Sequence, residues 1–281
     1  MAKKKMIHDF MQMKSKGDKI TFLTAYDYPT AQFAEAAGLD MLLVGDSLGM
    51  CVYGYSGTVP VVMDQCIYHC DAVRRGAPNT FIVGDMPFMS YQSALEKAVE
   101  NAGRFLKEAG CDAIKLEGGV RVVPQIKAIV EAGILVMGHI GLTPQSSGQL
   151  GGHKAQGRTL ETARIVIEDA LAVQDAGAQM ILLEAIPPEV AAYITKELSI
   201  PVLSIGAGPD CDGQLLIVSD MIGQFQAFTP KFVKKYGNVA EVVTSAMKEY
   251  VAEVRAGQFP EDDHCYHMIA GEMEKFDAEF K

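Results

Sequence analysis

Four stretches of this chain obey one grammar: AAGLDMLLVGD (36–46), EAGCDAIKLEG (108–118), EAGILVMGHIG (131–141) and DAGAQMILLEA (175–185). Each begins where a helical pattern ends in Ala-Gly, the glycine serving as a C-terminal cap. An apolar run of strand length follows within one or two residues and stops on an ionisable side chain: Asp46, Glu117, His139 or Glu184. TFIVGDMPF (80–88) carries the same strand, ending at Asp85, while KITFLTAYD (19–27) and SIPVLSIGAG (199–208) add two more. Helical patterns such as 93–110 and 159–177 lie between strands, and a short strand around 221–224 is the expected eighth.

Strands alternating with helices imply parallel βαβ units. Strands that are apolar almost throughout imply a sheet covered on both faces. Eight such units predict an α/β fold, a (β/α)8 TIM barrel with its core from about residue 19 to about 236. An open doubly wound sheet is the alternative. Residues 1–281 read as one domain, with the N-terminal extension and an extra helix over 238–256 decorating the outside of the barrel.

With 49% apolar residues the chain has material for a large core. No apolar run nears the ~20 residues that span a bilayer. The lysines of MAKKKMIHDFMQMK are not followed by an apolar segment, which argues against a secretory signal and for a cytoplasmic protein. A net charge of −10 with no basic stripe argues against nucleic acid as a partner, and an anionic substrate would need a local cation. The six cysteines form no CxxC pair. Cys66, His69 and Cys70 invite a metal reading, but their spacing on one helix without a second cluster fits a buried thiol pair better.

In such barrels catalytic groups lie at the carboxyl ends of the strands. That is where Asp46, Asp85, Glu117, His139 and Glu184 fall. In DAIKLEGG (112–119), Lys115 and Glu117 share one strand face, so both are expected inside the barrel near that end. Taken singly, each residue has a plain structural explanation: a helix cap, a bonded histidine, a neutral Lys–Glu pair. Taken together they crowd several negative charges into a small volume, which is costly without a cation. Oxygen-only ligands at Asp46, Asp85 and Glu117 point to a hard ion, Mg²⁺, with positions left for a bidentate 2-oxo acid. Lys115 would then balance the substrate's carboxylate or a developing enolate oxygen. Glu184 is left as the general base, in an apolar setting expected to raise its pKa.

Other motifs carry less. GAGPDCDG (206–213) reads as a tight barrel loop rather than a phosphate site. SSGQLGGHKAQGR (146–158) reads as a glycine-rich loop after the fifth strand, placed to act as a lid. No serine-nucleophile elbow stands out.

GDSLGM (45–50), GYSGTVPV (54–61), YHCDAVRRGA (68–77), FIVGDMPFMSY (81–91), KLEGG (115–119), GHIGLTPQS (138–146) and SIGAGPDCDGQLL (204–216) occur in this order. Together they resemble the ketopantoate hydroxymethyltransferase family, from about residue 19 to about 236. The resemblance implies an Mg²⁺-dependent barrel of pantothenate biosynthesis. It would move a hydroxymethyl group from 5,10-methylene-tetrahydrofolate to 3-methyl-2-oxobutanoate, through an enolate, to give 2-dehydropantoate. By motif, Asp46, Asp85 and Glu117 would form the metal shell, and Asp46, Ser47, Asp85 and Lys115 would contact the keto acid. Glu184, in LLEAIP, matches the proton acceptor. A large homo-oligomer, a decamer of two pentameric rings, is also implied. The chain departs from the family pattern at Cys51 and in IVSDMIG (217–223), on the outer pocket and the folate side.

Two rival readings remain open at this level. Metal-dependent lyases and mutases of the phosphoenolpyruvate mutase and isocitrate lyase type share the barrel and the 2-oxo acid chemistry, but the chain lacks the reactive cysteine loop of isocitrate lyases. A catalytically dead scaffold would have lost part of the acidic ring, which is complete here.

Overall fold

The computed structural model describes residues 4–281. Eight parallel strands follow one another around a closed barrel: β1 (Ile20–Thr24), β2 (Met41–Val44), β3 (Phe81–Asp85), β4 (Ala113–Glu117), β5 (Val136–Gly141), β6 (Met180–Glu184), β7 (Val202–Ile205) and β8 (Gly213–Leu216). Closure is completed by β1, which pairs with both β2 and β8. The repeated Ala-Gly is what the local geometry demands. Gly38, Gly110, Gly133 and Gly177 sit at φ of 82°, 64°, 86° and 97°, the left-handed region where a side chain is strained.

Alternation along each strand sorts residues into two layers. Leu42, Ile82, Ile114, Val136 and Ile181 point outward into the core shared with the surrounding helices. Met41, Leu43, Phe81, Val83, Ala113, Met137, Met180 and Leu182 point into the barrel and fill it. The inward series continues by twos: Ala113, Lys115 and Glu117 on β4, Phe81, Val83 and Asp85 on β3. The barrel is therefore apolar at its amino end and charged at its carboxyl end.

Two expectations are corrected. The N-terminal segment is not mere decoration: the helix Ile7–Lys16 closes the amino end, with Phe10 fully buried and edge-on to Phe81 at a centroid distance of 5.2 Å. The eighth strand is Gly213–Leu216, and residues 218–221 form a single helical turn instead. Glycine at the start of β8 hides the strand in the sequence. A Cβ there would lie 2.5 Å from the Ile20 carbonyl oxygen of β1. The helix Val239–Ala256 buries none of its residues and does lie outside.

Polar residues also staple the amino end. Asp40 accepts from Thr21 N at 2.8 Å, Asp112 from Ile82 N at 2.9 Å, Gln179 from Val136 N at 2.8 Å and Asp212 from Val202 N at 2.8 Å. Each satisfies an N–H of the first or second residue of a neighbouring strand. Cys66 and Cys70 are buried, and His69 turns away to Tyr53 Oη at 3.1 Å and the Tyr26 carbonyl. Among the described residues no helix is long and apolar enough to cross a membrane.

Candidate active site

The carboxyl ends of β2 to β6 deliver their ionisable side chains to one mouth because the registers align them. Asp85 stands beside Lys115, Glu117 beside His139, and Gly141 beside Glu184. Asp46, Asp85, Lys115, Glu117 and His139 are each buried, none more than 4% exposed. Lys115 Nζ donates to Asp85 Oδ1 and Oδ2 at 2.7 and 2.8 Å and to Glu117 Oε1 at 3.3 Å. The charged strand face in DAIKLEGG is thus an internal ion cluster.

Neutral side chains tie the cluster together. Gln145 donates its backbone N–H to Glu117 Oε2 at 3.0 Å and its Nε2 to Asp46 Oδ2 at 2.9 Å. Tyr91 Oη donates to Gln145 Oε1 at 2.9 Å, which fixes the amide's orientation. The backbone N–H of Asp46 donates to Asp85 Oδ2 at 3.0 Å, while Ser47 Oγ meets Tyr26 Oη at 2.8 Å. Gln145, Tyr91 and Tyr26 were not singled out as site residues by sequence reasoning, although Tyr91 and Gln145 lie inside the quoted FIVGDMPFMSY and GHIGLTPQS.

His139 stands between two carboxylates. Its Nδ1 lies 3.2 Å from Glu117 Oε1. Its Nε2 lies 3.1 Å from Glu184 Oε2, within ion-pair distance but off the hydrogen-bond axis. Burial and Lys115 oppose a charge on the imidazole, yet the two carboxylates prevail and hold its pKa up at about 9. The apolar setting expected for Glu184 is therefore replaced by a polar one, with the carboxylate 15% exposed and facing a cation. Beside it, Ala185 is held at φ 49°, a conformation non-glycine residues rarely adopt. Gly141 approaches so closely that a Cβ would lie 2.4 Å from the Glu184 carbonyl oxygen.

The carboxyl groups are shifted in opposite directions. Burial pushes Asp46 well above the usual carboxylate range, and the charge of Asp85 adds to the shift. Asp85 is raised by burial too, against the pull of Lys115. Glu117 goes the other way: burial is overcome by Lys115 and by the bond to His139. Lys115 stays protonated because its three acidic neighbours outweigh the cost of burying it.

Among the described residues, no three His, Cys, Asp or Glu side chains converge closely enough to enclose a metal ion. The Lys115 ammonium and the Gln145 amide hold the three carboxylates apart. The donor set nonetheless suits Mg²⁺, which uses one or two carboxylates and fills its other positions with water or substrate oxygens. Asp46 and Asp85, adjacent and mutually repelling, are the two carboxylates placed to act as such a pair.

Above the cluster opens a cavity of about 1000 Å³. Its walls include Ser47, Leu182 and Ile205, with His153 and Arg158 from the glycine-rich loop after β5. That loop lies over the mouth, Gln156 N donating to the Ala185 carbonyl at 3.0 Å. GAGPDCDG is the tight β7–β8 connection.

A closed parallel barrel with a buried lysine–carboxylate cluster at its carboxyl end defines an α/β-barrel enzyme. The chain belongs to the ketopantoate hydroxymethyltransferase family, whose model matches residues 4–262, and it is a transferase. It is 66% identical to a 3-methyl-2-oxobutanoate hydroxymethyltransferase of Alkaliphilus metalliredigens (strain QYMF), with 100% of both chains covered. Among solved structures it resembles a phosphonopyruvate hydrolase bound to oxalate and Mg²⁺ (TM-score 0.61, 15% identity, 98% of this chain and 96% of that one). It also resembles 2,3-dimethylmalate lyase, a PEP mutase/isocitrate lyase superfamily member (TM-score 0.60, 17% identity, 99% and 95% covered). These structural likenesses are of fold alone.

Proposed function

We propose that the chain transfers a hydroxymethyl group from 5,10-methylene-tetrahydrofolate to 3-methyl-2-oxobutanoate, giving 2-dehydropantoate for pantothenate and coenzyme A synthesis. The observation that carries this reading is the ion cluster of Asp46, Asp85, Lys115 and Glu117, joined through His139 to Glu184 within one cavity.

Asp46 and Asp85 would ligate one Mg²⁺ per subunit, with Glu117 completing its shell, and the ion would supply Lewis-acid polarisation of the keto acid's ketone. Asp46, Ser47, Asp85 and Lys115 contact the keto acid, Lys115 placing a fixed positive charge where negative charge develops. Glu184 accepts the proton from the branched carbon, leaving the C–H electron pair on the substrate. His139, 3.1 Å from its carboxylate, holds Glu184 in position toward that carbon. The substrate carbon then bonds to the one-carbon unit as one of that unit's two C–N bonds to the folate breaks; the oxygen of water replaces the second nitrogen, and the proton from the substrate carbon and one from water pass to the two nitrogens, giving product and tetrahydrofolate. The chain would work in the cytoplasm as a homo-oligomer, a decamer on the family pattern. In support, the uncovered helix Val239–Ala256 presents Val242, Val243, Met247 and Val251.

The test is proton NMR of 3-methyl-2-oxobutanoate in D₂O with protein and Mg²⁺, without folate. The methine signal should vanish and the methyl doublet collapse. Chelation of the metal should stop this, and Glu184→Gln should slow it by about 100-fold or more while keto acid binding persists. A parent protein that binds metal and keto acid yet stays silent even with folate present would transfer the assignment to the lyase and mutase class.

A further inference from the structure

The cavity is far larger than a five-carbon keto acid requires, and its outer wall holds a group that the reaction at the ion cluster does not use. Asp220 lies in the turn Val218–Met221 that follows β8, a turn anchored where Val218 N donates to Thr24 Oγ1 at 2.9 Å. Its side chain is in the cavity wall and the residue is only 6% exposed. Among the described residues its carboxylate has neither a hydrogen bond nor an ion pair. The hydroxyl of its neighbour Ser219 is buried beside it and faces the Cys51 thiol. A carboxylate that faces a cavity and accepts from no protein donor is free to accept from a ligand that brings donors.

The surroundings say what kind of ligand. Phe225 and Phe228, packed edge to face with centroids 5.5 Å apart, line the same wall and offer apolar surface to a flat ring. The charge of Asp220 reaches the half-buried Cys51 thiol, which in turn neighbours Tyr26, whose hydroxyl meets Ser47 at 2.8 Å. Asp220, Cys51 and Ser47 therefore line one cavity that leads to the place proposed for the keto acid. Burial raises the carboxyl's pKa, with Lys235 offsetting only part of the effect.

We infer that Asp220 recognises the pterin ring of the reduced folate, its carboxylate accepting from the adjacent N3–H and 2-amino groups while Phe225 and Phe228 flank the ring. Two parallel N–H donors on one edge of a planar heterocycle match the two oxygens of a carboxylate, and such charge-assisted pairs are geometrically selective. The inference rests on the proposed folate reaction and adds the residue that orients the one-carbon donor toward Ser47 and Lys115. Nothing covalent happens at Asp220; its part is binding and position.

The experiment compares 5,10-methylene-tetrahydrofolate with its 2-desamino analogue as donor, in the parent enzyme and in Asp220→Ala and Asp220→Asn. The parent should prefer the natural donor by about 10- to 100-fold in kcat/KM, the range for a hydrogen bond to a charged group. Asp220→Ala should raise the KM for the natural donor by a similar factor and bring the preference close to one. Deuterium exchange of the keto acid without folate, run on the same samples, reports the ion cluster separately, and Asp220→Asn keeps the shape of the side chain should the alanine variant fail to fold. Retention of the parental preference in the variants overturns the inference. So does a loss of exchange that matches the loss of transfer, since Asp220 would then be supporting the barrel. Absence of both exchange and transfer in the parent, with folate present, overturns the folate reaction itself, a different failure.

Discussion

Asp40 and Asp46 stand at opposite ends of β2 and do opposite things. Asp40, at the amino end, accepts from Thr21 N and Thr21 Oγ1 at 2.8 and 2.7 Å and pairs with Lys5 at 2.8 Å. Although burial works against its charge, those partners hold its pKa below the usual value. Asp46, at the carboxyl end, is buried beside Asp85 with one side-chain donor, Gln145, and its pKa is driven up. The same side chain is satisfied at one end of the strand and frustrated at the other. The fold keeps its stability at the closed, apolar end and places destabilising charge where a ligand can relieve it.

The sharpest way to break this contrast is Lys115→Met. Removing the ammonium leaves Asp85 and Glu117 buried without their partner, so stability should fall by about 3–5 kcal/mol in urea unfolding and exchange should drop by about 100-fold or more. Adding Asp85→Leu should return much of the stability and none of the activity; recovery of activity would show that the cluster is structural. Phe10→Ala attacks the opposite end. It should cost about 3–5 kcal/mol by opening a cavity under the barrel, with exchange per folded molecule unchanged. Smaller still is the acid response of Asp40. Its folded pKa lies below the unfolded value of 3.8, so its contribution is present above that pH and disappears as pH falls below it. The stability gap between parent and Asp40→Asn, about 1–2 kcal/mol at neutral pH, should narrow on acid titration; a constant gap would assign the effect to packing.

The barrel was legible because its repeat exposes both helix caps and strand ends, and the ion cluster because charges stand out in strands that are otherwise apolar. Lys115 and Glu117 needed only the two-residue period of a strand to be placed inside. Gln145 and Tyr91 were not legible as site residues, being neutral and loop-borne. Their roles depend on how the connections after β3 and β5 fold over the mouth. Phe10 was hidden because a short amphipathic helix ahead of the first strand does not announce what its apolar face plugs. The eighth strand was missed because Gly213 answers to the close approach of β1, a constraint that lies almost the whole barrel away in sequence. Glu184 falls at the end of its strand as the repeat implies, but the strand pattern gives no sign that His139 faces it.

The most direct test of the contrast is a paired measurement on Asp40→Asn and Asp46→Asn: urea unfolding together with keto acid exchange in D₂O. Asp40→Asn should lose stability and keep exchange. Asp46→Asn, which retains an acceptor for Gln145 and removes the repulsion with Asp85, should keep or gain stability and lose exchange. If both variants lost stability and activity in parallel, the two ends of the barrel would not be divided between structure and chemistry, and the account would fail.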